Sequence, residues 1–172
     1  MNYLGKFCLL STLIVCNACS QQITVSDVAK ATAVKADNQA DSVQNGLITV
    51  ASPYSVAETG DRLEQMIQDK GLTLFARIDH SANAATVELE LNPTQLIIFG
   101  NPKVGTPLMN CSATTAIDLP QKFLVVQDEN QETQVSYNSP EYLQQRHNIA
   151  GCDQFLAKVS GALSGIAEAA TK

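Results

Sequence analysis

The chain has 172 residues, with 17 acidic against 11 basic side chains and a net charge of −6. No basic cluster interrupts that acidic balance, so nucleic acid and anionic lipid headgroups are poor partners for the folded part. The length suits one domain around a single core.

The first residues are not read as fold. Lys6 supplies the positive charge of a signal n-region, and Phe7 to Val15 (FCLLSTLIV) is an apolar run too short to span a bilayer. Ala18 then stands directly before Cys19, which predicts a signal peptide over residues 1–18. A small residue followed by cysteine resembles the signal of bacterial lipoproteins and implies lipidation at Cys19. Cys16 stands where that signal usually has a leucine-like residue, so plain secretion is the alternative. Ser20, in place of aspartate, implies the outer membrane by the same resemblance. The expectation is an exported chain, in the periplasm or on the outer membrane, lipid-anchored at its N-terminus.

Residues 19–45 read as a flexible tether. Gln21 to Asn45 is rich in Ala, Gln, Asp and Ser and has no aromatic residue. The folded domain is expected over residues 46–172. Leu47 to Ser52 (LITVAS) is a strand, stopped by Pro53. Ser55 and Glu58 form a capping box that opens a helix. Val56, Gly60, Leu63, Ile67 and Lys70 fall on its inner face, and Gly71 ends it. Leu72 to Asp79 is a second strand, in which Leu72, Leu74, Ala76 and Ile78 alternate with Thr73, Phe75, Arg77 and Asp79. Ser81 to Val87 is a short helix. Gln95 to Phe99 is apolar enough to lie inside a sheet.

After that strand, Thr106 with Pro107 predicts an N-cap and a first-turn proline, and helix to about Ala116. Ile117 to Pro120 is a turn. Lys122 to Gln127 and Thr133 to Tyr137 are strands joined by a hairpin loop, DENQE. Ser139 and Pro140 open a helix running to about His147. A last helix spans Asp153 to Ala170, with Phe155, Leu156, Val159, Leu163 and Ile166 as its apolar stripe. Strands and helices mix without regular alternation. That favours an α+β two-layer sandwich, a mainly antiparallel sheet with helices packed on one face.

The stretch Gly100 to Thr106 (GNPKVGT) is close to a phosphate-binding loop. It lacks the lysine after the second glycine, and Pro102 and Pro107 remove backbone donors where a phosphate cradle needs them. It turns sharply and starts a helix instead. No cofactor motif is present elsewhere, and no Gly-x-Ser-x-Gly elbow points to nucleophilic catalysis.

Four motifs in order now carry a resemblance: FARIDH (Phe75 to His80), LIIFGNPKVGTPLM (Leu96 to Met109), IDLP (Ile117 to Pro120), and SYNSPEYL (Ser136 to Leu143) with Arg146-His147. Together the chain resembles the DUF302 family. The resemblance implies a compact α+β fold, often a homodimer, and no activity, because the family's function is unknown.

The motif residues define two readings of a site. In the first, His80, Asn101 and Thr106 converge at strand ends on a small polar or anionic ligand, with Lys103, Asp118 and Tyr137 as further ligand-binding candidates and Tyr137 or Arg77 closing the pocket. That makes the domain a non-catalytic small-ligand-binding or interaction module. In the second, Asp79 and His80 join Asp118 or His147 in a metal or acid–base site, although no HxxxH or CxxC spacing supports it. A structural alternative gives these side chains local work in turns and core. Cys111 and Cys152 remain once the signal is cut and Cys19 is lipidated. They are either a disulfide or two separate buried thiols.

Overall fold

The computed structural model describes residues 45–172. The expected signal peptide, Cys19 and all but the last residue of the expected tether lie outside the described residues. The elements in chain order are β1 (Leu47–Ser52), α1 (Val56–Asp69), β2 (Thr73–Asp79), α2 (His80–Ala85), β3 (Thr94–Gly100), α3 (Pro102–Cys111), a 3₁₀ helix (Ala113–Ile117), β4 (Gln121–Gln127), β5 (Thr133–Asn138), α4 (Pro140–His147) and α5 (Asp153–Ala170). The strands form one sheet in the order β1-β5-β4-β3-β2, and every neighbouring pair is antiparallel. This is the expected α+β sandwich.

One face of the sheet is the core face. Along β3, Gln95, Ile97 and Phe99 are buried while the residues between them are half-buried. Register carries that face across the sheet: Ile97 lies opposite Phe123, and Val125 opposite Val135. Phe99 stacks on Phe123 with ring centroids 4.9 Å apart, and Phe123 meets the edge of Tyr137 at 5.5 Å. Leu63 and Ile67 of α1, with Leu163 and Ile166 of α5, complete the core. Each such side chain contributes about 1.5–3 kcal/mol by leaving water.

The caps follow their sequence signals. Ser55 accepts from the Glu58 N–H, and Ser139 accepts from the Tyr142 N–H, with Pro140 in the first turn. Gly71 takes a φ of 65° just after α1, a conformation that costs glycine little.

Three expectations are corrected. Helix α3 does not start at Thr106. Asn101 caps it by accepting from the Lys103 N–H at 2.9 Å, and Pro102 occupies the first turn. Thr106 and Pro107 therefore sit inside the helix, where Pro107 cannot donate to the Lys103 carbonyl. Second, the simple alternation in β2 fails, because the register shifts between Leu74 and Ala76. Phe75 is the extra residue of a bulge. Leu74 consequently pairs with Phe99 and Arg77 with Ile97 on the core face, whereas Ala76 and Ile78 pair on the other. Third, Lys70 is exposed, and Thr59 is buried on the inner face of α1 in its place. The Thr59 hydroxyl is satisfied there by Ser52 Oγ at 2.7 Å, which lets a polar side chain enter the core.

Gly46 stands just before β1 with a φ of +75°, and a Cβ placed there would lie 2.4 Å from the Tyr142 ring of α4. Its carbonyl also accepts from the Ser139 N–H at 2.8 Å, which ties the edge strand to the α4 cap. Gly161, in contrast, has open space around it in the middle of α5. Gly46→Ala is expected to lower the unfolding free energy by about 1–3 kcal/mol in urea titrations. Gly161→Ala is expected to raise it by up to about 1 kcal/mol. Equal effects at the two positions would contradict this account.

Candidate functional site

Strand direction decides which candidate residues can meet. β2 and β3 are antiparallel, with Thr73 opposite Gly100 and Asp79 opposite Gln95. His80 therefore lies at one end of the sheet, and Asn101 lies at the other, about 20 Å away by strand rise. The expected convergence of His80 with Asn101 and Thr106 is not what the fold builds. The same length separates the Asp79-His80 pair from Asp118, which lies just before β4 at the Gly100 end. The combined Asp79/His80 and Asp118/His147 constellation is not assembled either. Among the described residues, no group of three His, Cys, Asp or Glu side chains is placed to hold a metal ion.

Each of these polar residues has a local partner. Asp79 caps α2, accepting from the Ala82 N–H at 2.8 Å and from the Ser81 hydroxyl at 2.7 Å. The Ser81 bond first, then the Ala82 N–H, hold its carboxyl below the usual aspartate range. His80 is exposed at the first position of α2. Arg77 spans from β2 to α1: its guanidinium donates to Gln95 Oε1 at 2.8 Å, to the Ala57 carbonyl at 3.0 Å and to Asp61 Oδ1 at 2.5 Å. Tyr137 is a core aromatic, and burial first pushes its phenol upward.

At the Gly100 end, His147 and Asp118 do form a pair. His147 Nε2 lies 2.5 Å from Asp118 Oδ2, and Nδ1 lies 3.0 Å from the Thr114 hydroxyl. Arg146 Nε adds a contact to Asp118 Oδ2 at 3.5 Å. The imidazole is 4 % exposed and the carboxylate 12 %. The backbone carbonyls of Asp118 and Pro120 meanwhile accept from Lys122 Nζ at 2.9 and 2.8 Å. Burial is the main reason that the Lys122 ammonium sits below its ordinary pKa, with the Asp118 carboxylate acting in the opposite direction. This network staples α4, the 3₁₀ helix and the approach to β4 together. It closes on itself around buried groups.

The concave feature of this end is apolar. A hollow of about 260 Å³ opens between the ends of β2 and β3, helix α3 and helix α5. Phe75 and Phe99 come from the sheet, Val104, Leu108 and Met109 from α3, and Val159, Ala162 and Leu163 from α5. Asn101 and Thr106 line it too, so two of the residues expected to bind a ligand face one hollow. Asn101 spends its side-chain oxygen on the α3 cap. Lys103 lies exposed on the first turn of the same helix. Sequence reasoning missed Gln121, which is buried at the start of β4, and Lys158, which is exposed on α5; both also line the hollow. The available signal for Gln121 was a polar residue at a core-facing position, opposite Phe99.

Cys111 and Cys152 form a disulfide with Cα atoms 6.5 Å apart, which resolves the two readings left open by the sequence. It joins the last residue of α3 to the residue that caps α5. The bridge thus ties together the two helical walls of the hollow.

An antiparallel meander, an added edge strand and helices on one face define a two-layer α+β domain with an apolar recess at one end. The chain belongs to the DUF302 family: the model of that domain of unknown function matches residues 48–166. A crystal structure of an uncharacterized conserved DUF302 protein from Bacillus stearothermophilus shares the fold, with a TM-score of 0.66 at 20% identity, over 73% of this chain and 98% of that one. Among curated proteins, fluoride-specific ion channel FluC 1 of Brucella suis biovar 1 is 42% identical over 107 residues, 62% of this chain and 42% of that protein. FluC 2 of Brucella melitensis biotype 1 is also 42% identical over 107 residues, 40% of that protein. The chain spans well under half the length of these relatives. Among the described residues, no helix is long and apolar enough to cross a membrane.

Two outcomes are expected from these contacts. The disulfide closes a loop with a sequence separation of 41. Replacing both cysteines with serine should lower stability by about 4 kcal/mol in the chain-entropy account, measured by guanidinium unfolding. A loss under about 1 kcal/mol would show that the bridge adds little to the folded state. Asp79 has a folded pKa below its ordinary 3.8, so its contribution is present above that value and is lost as the pH falls through the lowered one. Asp79→Ala should therefore be less stable than the parent at pH 7, with the gap closing below about pH 3.8. A gap that does not narrow as the pH falls below 3.8 would contradict the assignment of the cap to the ionised carboxylate.

Proposed function

We propose that this domain is a non-catalytic small-ligand-binding module of the bacterial envelope, with the hollow between α3 and α5 as its site. The observation that carries the proposal is the hollow itself: about 260 Å³, walled by two phenylalanines and a set of aliphatic side chains. An engineered apolar cavity of about 150 Å³ takes up benzene, so this space suits a ligand of roughly ten non-hydrogen atoms. The polar network around His147 and Asp118 supports a binding reading over a catalytic one, because its groups are engaged with each other and none of them lines the hollow. The envelope reading rests on Lys6, the Phe7 to Val15 run and Ala18-Cys19, and the Cys111–Cys152 bridge suits an oxidising compartment. In this reading Cys19 carries the lipid and residues 19–45 tether the domain to the membrane.

A second reading comes from the curated relatives. Their names are those of fluoride channels, and the segment they share with this chain is less than half of each. On that reading the module attends a membrane channel as an accessory domain. Co-purification of the full chain with a fluoride channel of its own cell would support it, and a clean separation of the two would remove it.

The binding reading is tested by thermal shift with ethylbenzene as a minimal apolar probe. Saturating probe should stabilise the domain, by about 2.7 kcal/mol at a hundred times the dissociation constant. Ala162→Phe, which fills the hollow from α5, should fold and lose the shift. An equal shift in parent and variant would place the probe elsewhere. Incorporation of labelled fatty acid into the parent, abolished in Cys19→Ala, is the result expected for the anchor.

A further inference from the structure

No aspartate or glutamate lines the hollow, and Lys158 is its single charged lining residue. The chain as a whole carries 17 acidic against 11 basic side chains, so this end departs from the overall balance. Among the described residues, Lys172 pairs with Glu168 and Lys122 donates to backbone carbonyls, whereas Lys70, Lys103 and Lys158 enter no ion pair. All three are exposed. Lys103 lies between Pro102 and Val104, and Lys70 lies two residues before Leu72; those three neighbours line the hollow. Lys70 Nζ lies 4.0 Å from the point that a Cβ would take on Gly165 of α5. Asp69, beside Lys70 in sequence, accepts instead from Gln65. Lys158, the half-buried Ala162 and Gly165 recur at helical spacing, so they share one face of α5. Ala162 therefore lines the hollow between two cationic positions about 10 Å apart along the helix axis.

We propose that the hollow takes an anionic amphiphile, a monocarboxylate of about ten non-hydrogen atoms, with its carboxylate at the mouth between Lys158 and Lys70. This rests on the binding reading above and adds the charge and orientation of the ligand. The apolar tail lies against Phe99, Leu108, Val159 and Leu163. The carboxylate stays outside, because among those carbon walls it would lose its hydration without a paired charge. Lys158 Nζ rests 5.4 Å from the centre of the Phe155 ring, a weak exposed contact that its flexible stem can leave. The stems of both lysines let their ammonium groups swing to one carboxylate above Ala162. Each exposed pair contributes little alone, but here two cations act together and no acidic side chain in the lining competes for them. An amine with the same tail meets like charge at both positions.

The test is titration of the full chain with three probes of one tail length: octanoate, 1-octanol and octylammonium. At low salt, octanoate is expected to bind about tenfold more tightly than octylammonium. The net charge of −6 would by itself favour the amine, so the predicted order reports the local rim. The lead of octanoate should shrink in about 1 M sodium chloride, where charges are screened beyond about 3 Å. In the double variant Lys70→Met/Lys158→Met the lead should vanish, while 1-octanol binds as it does to the parent, which shows that the hollow survives. Octylammonium binding the parent as tightly as octanoate would overturn the inferred headgroup and leave the binding reading standing. So would a lead that persists in the double variant, or one that salt does not reduce. 1-Octanol binding the parent more tightly than octanoate would also overturn it, because the lysines would then add nothing. Failure of all three probes to bind would overturn both the inference and the reading on which it rests.

Discussion

Between Asn101 and Cys111 the chain leaves the sheet as a helix that is fastened at both ends and fully buried at one residue. Asn101 and Pro102 fix its start at the end of β3, and the bridge to Cys152 fixes its finish on α5. Only Leu108 is fully buried along its length. A helix that packed its whole inner face against the sheet would fill the space beneath it. Here the tethers hold it where sparse contacts alone would not, and the space remains open between Phe99 and Leu163. Close packing is the norm in protein interiors, so an unfilled apolar volume of this size is maintained by its frame. The bulge at Phe75 adds to the frame by displacing one aromatic ring from the regular alternation of β2 to the rim of the hollow.

Much of the architecture is legible in local sequence. Strands at Leu47 and Thr133, the caps at Ser55 and Ser139, and the full extent of α5 all follow from propensity and periodicity, because each is decided within a few residues. The bulge in β2 is not legible, since Leu72 to Asp79 alternates cleanly and only the pairing with β3 reveals the extra residue. The start of α3 was missed for a different reason. Asn101-Pro102 and Thr106-Pro107 are both valid cap-and-proline pairs, and the choice between them depends on where β3 ends.

The candidate site was legible only in part. The motifs of the DUF302 resemblance are rich in polar residues, and such residues invite a functional reading. Most of them instead secure the fold: Arg77 joins β2 to α1, Asp79 caps α2, and Asp118 pairs with His147 across the 3₁₀ helix and α4. The turn residues Asn101 and Thr106 do line the recess, because the loop that ends β3 shapes it. The recess itself comes from residues distant in sequence, from Leu72 to Leu163. His80 and Asn101 were separated by strand direction, which no local pattern reports.

The central claim is that a stable apolar hollow lies beneath α3. The most direct measurement is a crystal structure of the mature domain under xenon pressure, because xenon enters dry apolar cavities without any demand on ligand chemistry. The account predicts a well-occupied xenon atom among Phe99, Leu108 and Leu163. A crystal in which α3 has settled onto the sheet, with no xenon between those side chains, would contradict it.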